Sequence, residues 1–191
     1  AFSYRVLKKD CLDLPPKSYT IRYVSMSEEQ VKMYNELRTE ALTLLDSGEL
    51  VTAQNVMTQM LRLQQILSGH LKTDNGDIEE VPSKRLETVK EILAETSGKV
   101  ILWSRFRYDI QKLANMLTEE YGEGSVAAYY GDTPDDERQE IVTKFQDPDS
   151  ELRFFIGNPA TAGYGLTLTE ATTVIYYAND FNLETRIQSE D

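Results

Sequence analysis

Two residue types with versatile chemistry are nearly missing from this chain of 191 residues, which has one cysteine, Cys11, and one histidine, His70. A single cysteine excludes an internal disulfide and is typical of a reducing compartment. With so few soft ligands we expect no zinc site, and no other metal site is predicted. Ser-His-Asp catalysis needs its histidine, and His70 falls in a loop after two predicted helices, so a structural role is favoured.

Long apolar runs and export signals are missing too. No apolar stretch approaches 18 residues, so the sequence predicts no membrane span. No basic segment followed by an apolar one stands at the N-terminus, so no secretory signal is indicated. With 40% hydrophobic residues, the composition predicts a globular protein of the cytoplasm with one sizeable core, or a core with a helical appendage.

Phosphate-binding features are scarce. The sequence lacks the phosphate loop GxxxxGK[ST], so it is not expected to bind a triphosphate and magnesium in that manner. Its 20 lysines and arginines are outnumbered by 32 aspartates and glutamates, which gives a net charge of −12. Such a surface repels phosphate. Any contact with nucleic acid must therefore come from a local strip of basic side chains or backbone donors.

The first third of the chain predicts an extended segment followed by helices. Two prolines in LDLPPKSYTIRYVSM exclude helix there, and the alternation of apolar residues over 19–26 predicts a strand. Ser27 stands three residues before Gln30, which is the spacing of a capping box, and Gly48 is expected to end the helix that follows. A second helix over about 51–67 completes a helical hairpin. The polar stretch HLKTDNGDIEEVP then predicts an exposed loop.

The pattern changes to strands that alternate with helices in the second half. Ser83 predicts the cap of a helix that ends near Glu95. From Gly98 onward, KVILW, SVAAYY, LRFFIG and TTVIYYA are apolar runs typical of strands, with amphipathic helices between them and after them. Strands separated by helices imply a parallel sheet with right-handed crossovers. The predicted fold class is therefore α/β, with a parallel sheet between two helical layers.

In an open parallel sheet, ligands bind at the carboxyl ends of the strands. Ser104, Arg105 and Arg107 directly follow KVILW, so two guanidiniums and a hydroxyl are placed to hold a phosphate backbone. The alternative, which spacing alone favours slightly, is that the arginines pair with Asp109 and nearby acids on a solvated surface. Both interpretations stay open on the sequence.

Three further strand ends carry polar or glycine residues. After SVAAYY, Thr133 before Pro134 predicts a helix N-cap, and the same hydroxyl and amides suit a phosphate, although three acids in that turn favour capping alone. After LRFFIG, small residues let backbone amides approach a ligand. The candidates in that segment are Asn158, Thr161, Gly163, Gly165 and Thr167. After TTVIYYA, Asn179 and Asp180 are typical helix caps.

Taken in this order, the four segments resemble motifs of the C-terminal lobe of superfamily-two helicases, most closely the Swi/Snf-type DNA translocases. VILWSRF resembles the fourth motif, YYGDTPDDERQEIVTKFQ the block after it, and ATAGYGLTLTEATTVIYYANDFN the fifth motif with its downstream strand. The family commonly has a pair of glycines where this chain has Ala162 and Gly163. LDLPPKSYTIRYVSMSEEQVKMY and LRLQQILSGHL are similar to the segments that join the two lobes, and the compact linker suggests a bacterial or phage origin.

The resemblance implies a RecA-like helicase C-terminal lobe over residues 83–191. Residues 1–82 would supply the joining strand, a helical protrusion and the exposed loop. The implied function is that of a second motor lobe in an ATP-dependent DNA translocase, closing on ATP and Mg²⁺ held by an N-terminal RecA-like lobe of the same protein. The residues expected to contact the backbone of duplex DNA are Ser104, Arg105, Arg107, Thr133, Asn158, Thr161 and Thr167. Those expected at the ATP cleft are Gly163, Gly165 and Gln188.

Gln188 matches the opening glutamine of the family's sixth motif, whose arginines would lie beyond Asp191. We therefore expect no catalytic residue in this chain and no ATP hydrolysis by it alone, within a full-length ATP hydrolase. Two alternatives stay open: an RNA helicase lobe of another superfamily-two branch, and a non-catalytic interaction scaffold with a RecA-like fold. The expected location is the cytoplasm, associated with the nucleoid or in a phage-infected cell.

Overall fold

The computed structural model describes residues 16–46, 53–73, 75–162 and 166–190. In chain order the elements are α1 (Glu28–Asp46), α2 (Ala53–Ser68), β1 (His70–Lys72), β2 (Ile78–Glu80), α3 (Arg85–Ala94), β3 (Lys99–Trp103), α4 (Arg107–Tyr121), a 3-10 turn (Glu123–Ser125), β4 (Val126–Tyr129), α5 (Asp135–Gln146), β5 (Phe154–Gly157), α6 (Pro159–Ala162), β6 (Ala171–Tyr176) and α7 (Leu183–Gln188). Among the described residues, no helix combines the length and the apolar content needed to cross a bilayer.

Four parallel strands form the central sheet in the order β4-β5-β3-β6. Every residue of β3 and β5 is buried, as the continuous apolar runs predict for strands covered on both faces. On one face, Val100 and Leu102 pack with α3 and α4, whereas Ile101 and Trp103 on the other face pack with α5. The three-layer α/β fold is therefore confirmed.

The helical hairpin is confirmed, and its first helix begins as the capping box predicts. The Ser27 hydroxyl accepts a hydrogen bond from the Gln30 backbone N–H at 3.1 Å, and Gln30 Oε1 accepts one from the Ser27 N–H at 3.0 Å. Gln30 is buried, and its Nε2 also donates to the carbonyl of Ile66 at 2.7 Å. One side chain therefore caps α1 and ties it to α2. Gly48 and residues 51–52 lie outside the described residues.

Two predictions in the first 82 residues are wrong. Residues 19–26 form no strand, and Tyr19, Ile21 and Tyr23 are 70%, 73% and 91% exposed. Alternating apolar residues make a strand only beside a partner, and neither sheet offers one to this segment. The stretch after α2, predicted as an exposed loop, instead contains β1 and β2, which pair antiparallel as a β-hairpin.

The residues before α5 also depart from the prediction. Thr133 is buried, and its hydroxyl accepts from the Tyr130 N–H at 3.1 Å and donates to the Ala128 carbonyl at 3.3 Å. Thr133 thus closes the turn back onto β4 and is not the N-cap of α5, which begins at Asp135 after an extended Pro134. The pairing of a hydroxyl with the preceding turn competes with capping whenever the chain reverses this tightly.

Candidate nucleic-acid interface

The four segments that follow the strands lie side by side at one edge of the sheet, here called the carboxyl edge (residues 104–107, 130–134, 158–162 and 177–182). Backbone hydrogen bonds extend the ladder past the strands. The Ser104 N–H donates to the Gly157 carbonyl at 2.9 Å, and the Tyr177 N–H donates to the Trp103 carbonyl at 2.8 Å. The strand order therefore places the candidate residues in one row, which the sequence order does not give.

Arg105 sits at the centre of this row, between three elements. Its Nη1 donates to Gln64 Oε1 on α2 at 2.9 Å and lies 3.7 Å from Asp180 Oδ1 after β6. Its backbone carbonyl accepts from Asn158 Nδ2 at 3.1 Å. The side chain is 29% exposed, so the guanidinium is held in place but still reaches solvent. A planar guanidinium in this setting is suited to bind a phosphate.

Arg107 lies on the surface beside Arg105. Its Nη1 contacts Asp132 Oδ2 at 2.5 Å, and its guanidinium lies 5.3 Å from the centre of the Tyr130 ring. Both partners of the ion pair are more than half exposed. Such pairs contribute about 1 kcal/mol or less, so a phosphate can exchange with the carboxylate at small cost.

Ser104 is fully buried, and its hydroxyl is turned away from the surface. The hydroxyl donates to Asp109 Oδ2 at 2.9 Å and accepts from the Phe106 N–H at 3.3 Å. Asp109 is thus engaged by Ser104, and the two arginines pair with Asp180 and Asp132 instead. In this arrangement Ser104 shapes the turn that presents Arg105, while a direct phosphate contact stays a prediction.

Asn158 organises the neighbouring segment. Its Oδ1 accepts from the Ala160 N–H at 2.9 Å, which starts α6, while its Nδ2 bridges to Arg105. Thr161 is half-buried in α6, and Thr167 is exposed beyond it. Gly163 and Gly165 lie outside the described residues. Asn158 therefore joins the row at Arg105, and the roles of the two threonines stay predictions.

Gln188 lies apart from the arginines, near the end of α7, which contacts α6. It is exposed, and its Nε2 makes one long hydrogen bond of 3.4 Å to Glu184. Asn182 caps α7 by accepting from the N–H groups of Glu184 and Thr185. The exposed amide of Gln188 is therefore available to a ligand beside α7. Its place at the ATP cleft stays a prediction.

Titration of the buried groups follows from their surroundings. Tyr177 begins the segment after β6, and burial raises its pKa above the usual value, with the Asp109 carboxylate adding to the rise. Its hydroxyl donates to the Ser68 carbonyl at 3.3 Å, and Arg85 Nη1 donates to the Tyr177 carbonyl at 2.9 Å.

In the part of the chain that the structure describes, no three His, Cys, Asp or Glu side chains converge as a metal site requires.

Two contributors to the carboxyl edge were not predicted in these roles. Gln64 is 41 residues from Arg105 in sequence, and an amide at a helical position carries no signal for a distant partner. Asp180 was predicted as a helix cap, but α7 is capped by Asn182, and Asp180 faces Arg105. Only the strand order brings residues 105 and 180 together, through the parallel pairing of β3 with β6.

Comparisons with known proteins agree on one family. The family model described as "Helicase conserved C-terminal domain" matches residues 84–191. Protein CHROMATIN REMODELING 4 of Arabidopsis thaliana is 24% identical over 97% of this chain and 9% of its own length. Transcription regulatory protein SNF2 of Saccharomyces cerevisiae is 27% identical over 100% of this chain and 12% of its own length. The chain thus spans a small part of these curated relatives.

Solved structures give the same fold. The C-terminal domain of the Sulfolobus solfataricus SWI2/SNF2 ATPase matches with a TM-score of 0.65 and 24% identity, over 82% of this chain and 69% of that one. The core domain of the same ATPase matches with a TM-score of 0.68 and 22% identity, over 96% of this chain and 38% of that one. By its family model and its fold, the chain belongs to the helicase conserved C-terminal domain family, with Swi/Snf-type ATPases as its relatives.

Proposed function

We propose that this chain is the second motor lobe of an ATP-dependent DNA translocase, and that its carboxyl edge holds the phosphate backbone of duplex DNA. The observation that carries the proposal is the row formed by Arg105, Arg107 and Asn158 at the ends of neighbouring strands. Ligands of open parallel sheets bind at this edge. A row of guanidinium and amide donors contacts phosphates without reading the bases, so we expect no sequence specificity.

The ligand is taken from a related structure. One of the matching structures is the Sulfolobus solfataricus SWI2/SNF2 ATPase core in complex with double-stranded DNA, with a TM-score of 0.62 and 24% identity over 81% of this chain and 33% of that one. The proposal extends that protein's ligand to this chain. The net charge of −12 means that acidic side chains compete with DNA for the two arginines. When phosphate binds, the ion pairs of Arg105 with Asp180 and of Arg107 with Asp132 must break.

ATP is the second proposed ligand, bound between this lobe and a first lobe of the full-length protein. In that cleft the first lobe would hold the phosphates and Mg²⁺, and this lobe would close on them. The exposed amide of Gln188 on α7 has donor and acceptor groups that suit a nucleotide. Hydrolysis would open and close the cleft, and the row at the carboxyl edge would carry the strand along with the lobe.

The full-length protein tests this function by its ATPase rate with duplex DNA, single-stranded DNA and RNA as effectors. We expect duplex DNA to stimulate turnover most, and the half-saturating DNA concentration to rise steeply with salt because counterions are released on binding. Stimulation by RNA alone would favour the RNA helicase lobe. An absence of ATPase activity with every effector would leave the interaction scaffold, which the acidity of the chain also allows.

A further inference from the structure

Residues outside the lobe contact the segment that carries Arg105. Gln64, near the C-terminal end of α2, holds the Arg105 guanidinium through the 2.9 Å hydrogen bond. Gln64 belongs to the helical hairpin and not to the sheet or its covering helices. The direction of Arg105 therefore depends on where α2 lies, in addition to the strand from which the residue emerges.

A buried contact between His70 and Asp109 makes a second connection, four residues after Arg105 in the sequence. His70, the first residue of β1, places Nδ1 3.1 Å from Asp109 Oδ1, and each side chain is 2% exposed. His70 Nδ1 has no hydrogen-bond partner of suitable geometry, so the two buried side chains are in contact without a hydrogen bond. The other oxygen of Asp109 accepts the Ser104 hydroxyl. Because the serine bonds to the carboxylate and not to the imidazole, this group has no nucleophile, and its effect is to join β1 to the residue before Arg105.

The same segment is held a third time by the β-hairpin. Glu80, the last residue of β2, accepts a hydrogen bond from the Tyr108 hydroxyl and pairs with Lys112 at 3.1 Å. These contacts lower the pKa of Glu80, which favours the charged form that both partners need. The His70 ring also packs against Phe106 and Tyr108, with ring centres 5.2 Å and 4.8 Å apart. Residues 104–112 thus contact α2, β1 and β2.

We propose that Gln64 and Asp109 are positioning residues through which the helical hairpin and the β-hairpin set the direction of Arg105 for its phosphate contact. This inference rests on the proposed function, because it takes Arg105 to bind phosphate. An arginine side chain has many rotamers, and binding must select one of them. Holding the guanidinium in advance is worth up to about tenfold in affinity.

The first test replaces Gln64 in the full-length protein. Gln64→Ala removes the acceptor, and the half-saturating concentration of duplex DNA in the ATPase assay is expected to rise about threefold to tenfold, with the rate at saturating DNA retained. Gln54→Ala is the matched control, because it makes the same change at an exposed position of the same helix. We expect it to leave the half-saturating concentration unchanged.

The outcomes separate this inference from the proposed function. If Arg105→Ala leaves the half-saturating DNA concentration unchanged, the proposed DNA contact itself is wrong. If Arg105→Ala raises it while Gln64→Ala does not, the contact stands and the positioning role of Gln64 is overturned. A tighter affinity in Gln64→Ala would also overturn it, because Gln64 would then compete with phosphate for the guanidinium.

A second pair of variants tests Asp109. Asp109→Asn keeps an acceptor for the Ser104 hydroxyl and places an amide beside His70 Nδ1. Asp109→Ala leaves the Ser104 hydroxyl and the His70 ring buried without a polar partner at residue 109. We expect the asparagine variant to keep the half-saturating DNA concentration within about twofold of the parent, and the alanine variant to raise it about tenfold. Equal values for both folded variants would overturn the role of Asp109. Should the alanine variant fail to fold, Ser104→Ala takes its place, because it removes the hydroxyl that joins Asp109 to the residue before Arg105. An unchanged half-saturating DNA concentration in Ser104→Ala would then overturn the role of Asp109.

Discussion

Residues 84–190, the described part of the span that the family model matches and here called the lobe, and residues 16–83, here called the N-terminal region, bury their apolar side chains to different extents. In the lobe, Phe154, Phe155 and Ile156 are fully buried in a sheet covered on both faces. In the N-terminal region, Ile21 is 73% exposed and Met57 is 69% exposed. The lobe is thus organised by its own core, whereas the N-terminal region buries few apolar side chains, such as Ile66 and Val81, and adds polar contacts such as Gln30 to Ile66 and His70 to Asp109.

The largest effect is expected from a change in the core of the lobe. Phe155 has no exposed surface and packs with its ring centre 5.6 Å from that of Phe145 and 5.4 Å from that of Tyr129. Phe155→Ala should lower the free energy of unfolding by about 3–5 kcal/mol, measured by urea denaturation. Ile21→Ala is the control from the exposed segment and should stay within about 0.5 kcal/mol of the parent. Equal losses from both variants would contradict the contrast between the regions.

A smaller effect is expected where the helical hairpin meets the β-hairpin. Gly69 has φ +92°, and a Cβ there would lie 2.8 Å from Ser83 Cβ and 3.1 Å from the Val81 carbonyl oxygen. Gly69→Ala should therefore cost about 2–4 kcal/mol, from the left-handed backbone and the crowding together. Gly76 has φ +93° with no atom within 4 Å of such a Cβ, so Gly76→Ala isolates the backbone part and should cost about 1–2 kcal/mol. Equal losses in the free energy of unfolding from the two variants would mean that the side chains around Gly69 are loosely packed.

The smallest effect concerns pH at the contact between the two regions. Because the folded-state pKa of Tyr177 is raised, the unfolded chain loses this proton first as pH rises above about 10. The contribution of Tyr177 to the free energy of unfolding is then fully present below pH 10. It falls as the pH rises further, by up to about 1.4 kcal/mol per pH unit. Tyr177→Phe should remove that part of the alkaline slope, measured by denaturation at several pH values. An unchanged slope would contradict the burial of this hydroxyl against Ser68.

The same contrast explains what the sequence could predict. The strands and helices of the lobe follow from their apolar runs, because a buried strand such as KVILW is decided by local composition. Residues 19–26 have the alternation of a strand, but a strand needs a neighbour, which local pattern does not supply. The β-hairpin was missed for the opposite reason, since three-residue strands rich in polar residues look like a loop.

The candidate site divides in the same way. Strand ends mark Arg105, Arg107 and Asn158 as candidates, because the position after a buried strand is readable in the sequence. The partners of Arg105 depend on the strand order and on the packing of α2 beside the sheet. Both belong to the tertiary structure and leave no signal in the local sequence. Thr133 shows the limit most plainly, because its cap-like sequence gives way to a hydrogen bond with its own turn.

The most direct measurement of the central claim is the DNA-stimulated ATPase rate of the full-length protein with Arg105→Ala. We expect the stimulated rate at a fixed, subsaturating DNA concentration to fall about tenfold or more, while the rate without DNA changes little, because in our proposal the guanidinium contacts the DNA strand and not the nucleotide. Arg22→Ala is the matched control, since Arg22 is an exposed arginine paired with Glu95 away from the carboxyl edge. Stimulation that persists unchanged in Arg105→Ala, or that falls equally in Arg22→Ala, would contradict the assignment of the carboxyl edge as the DNA contact.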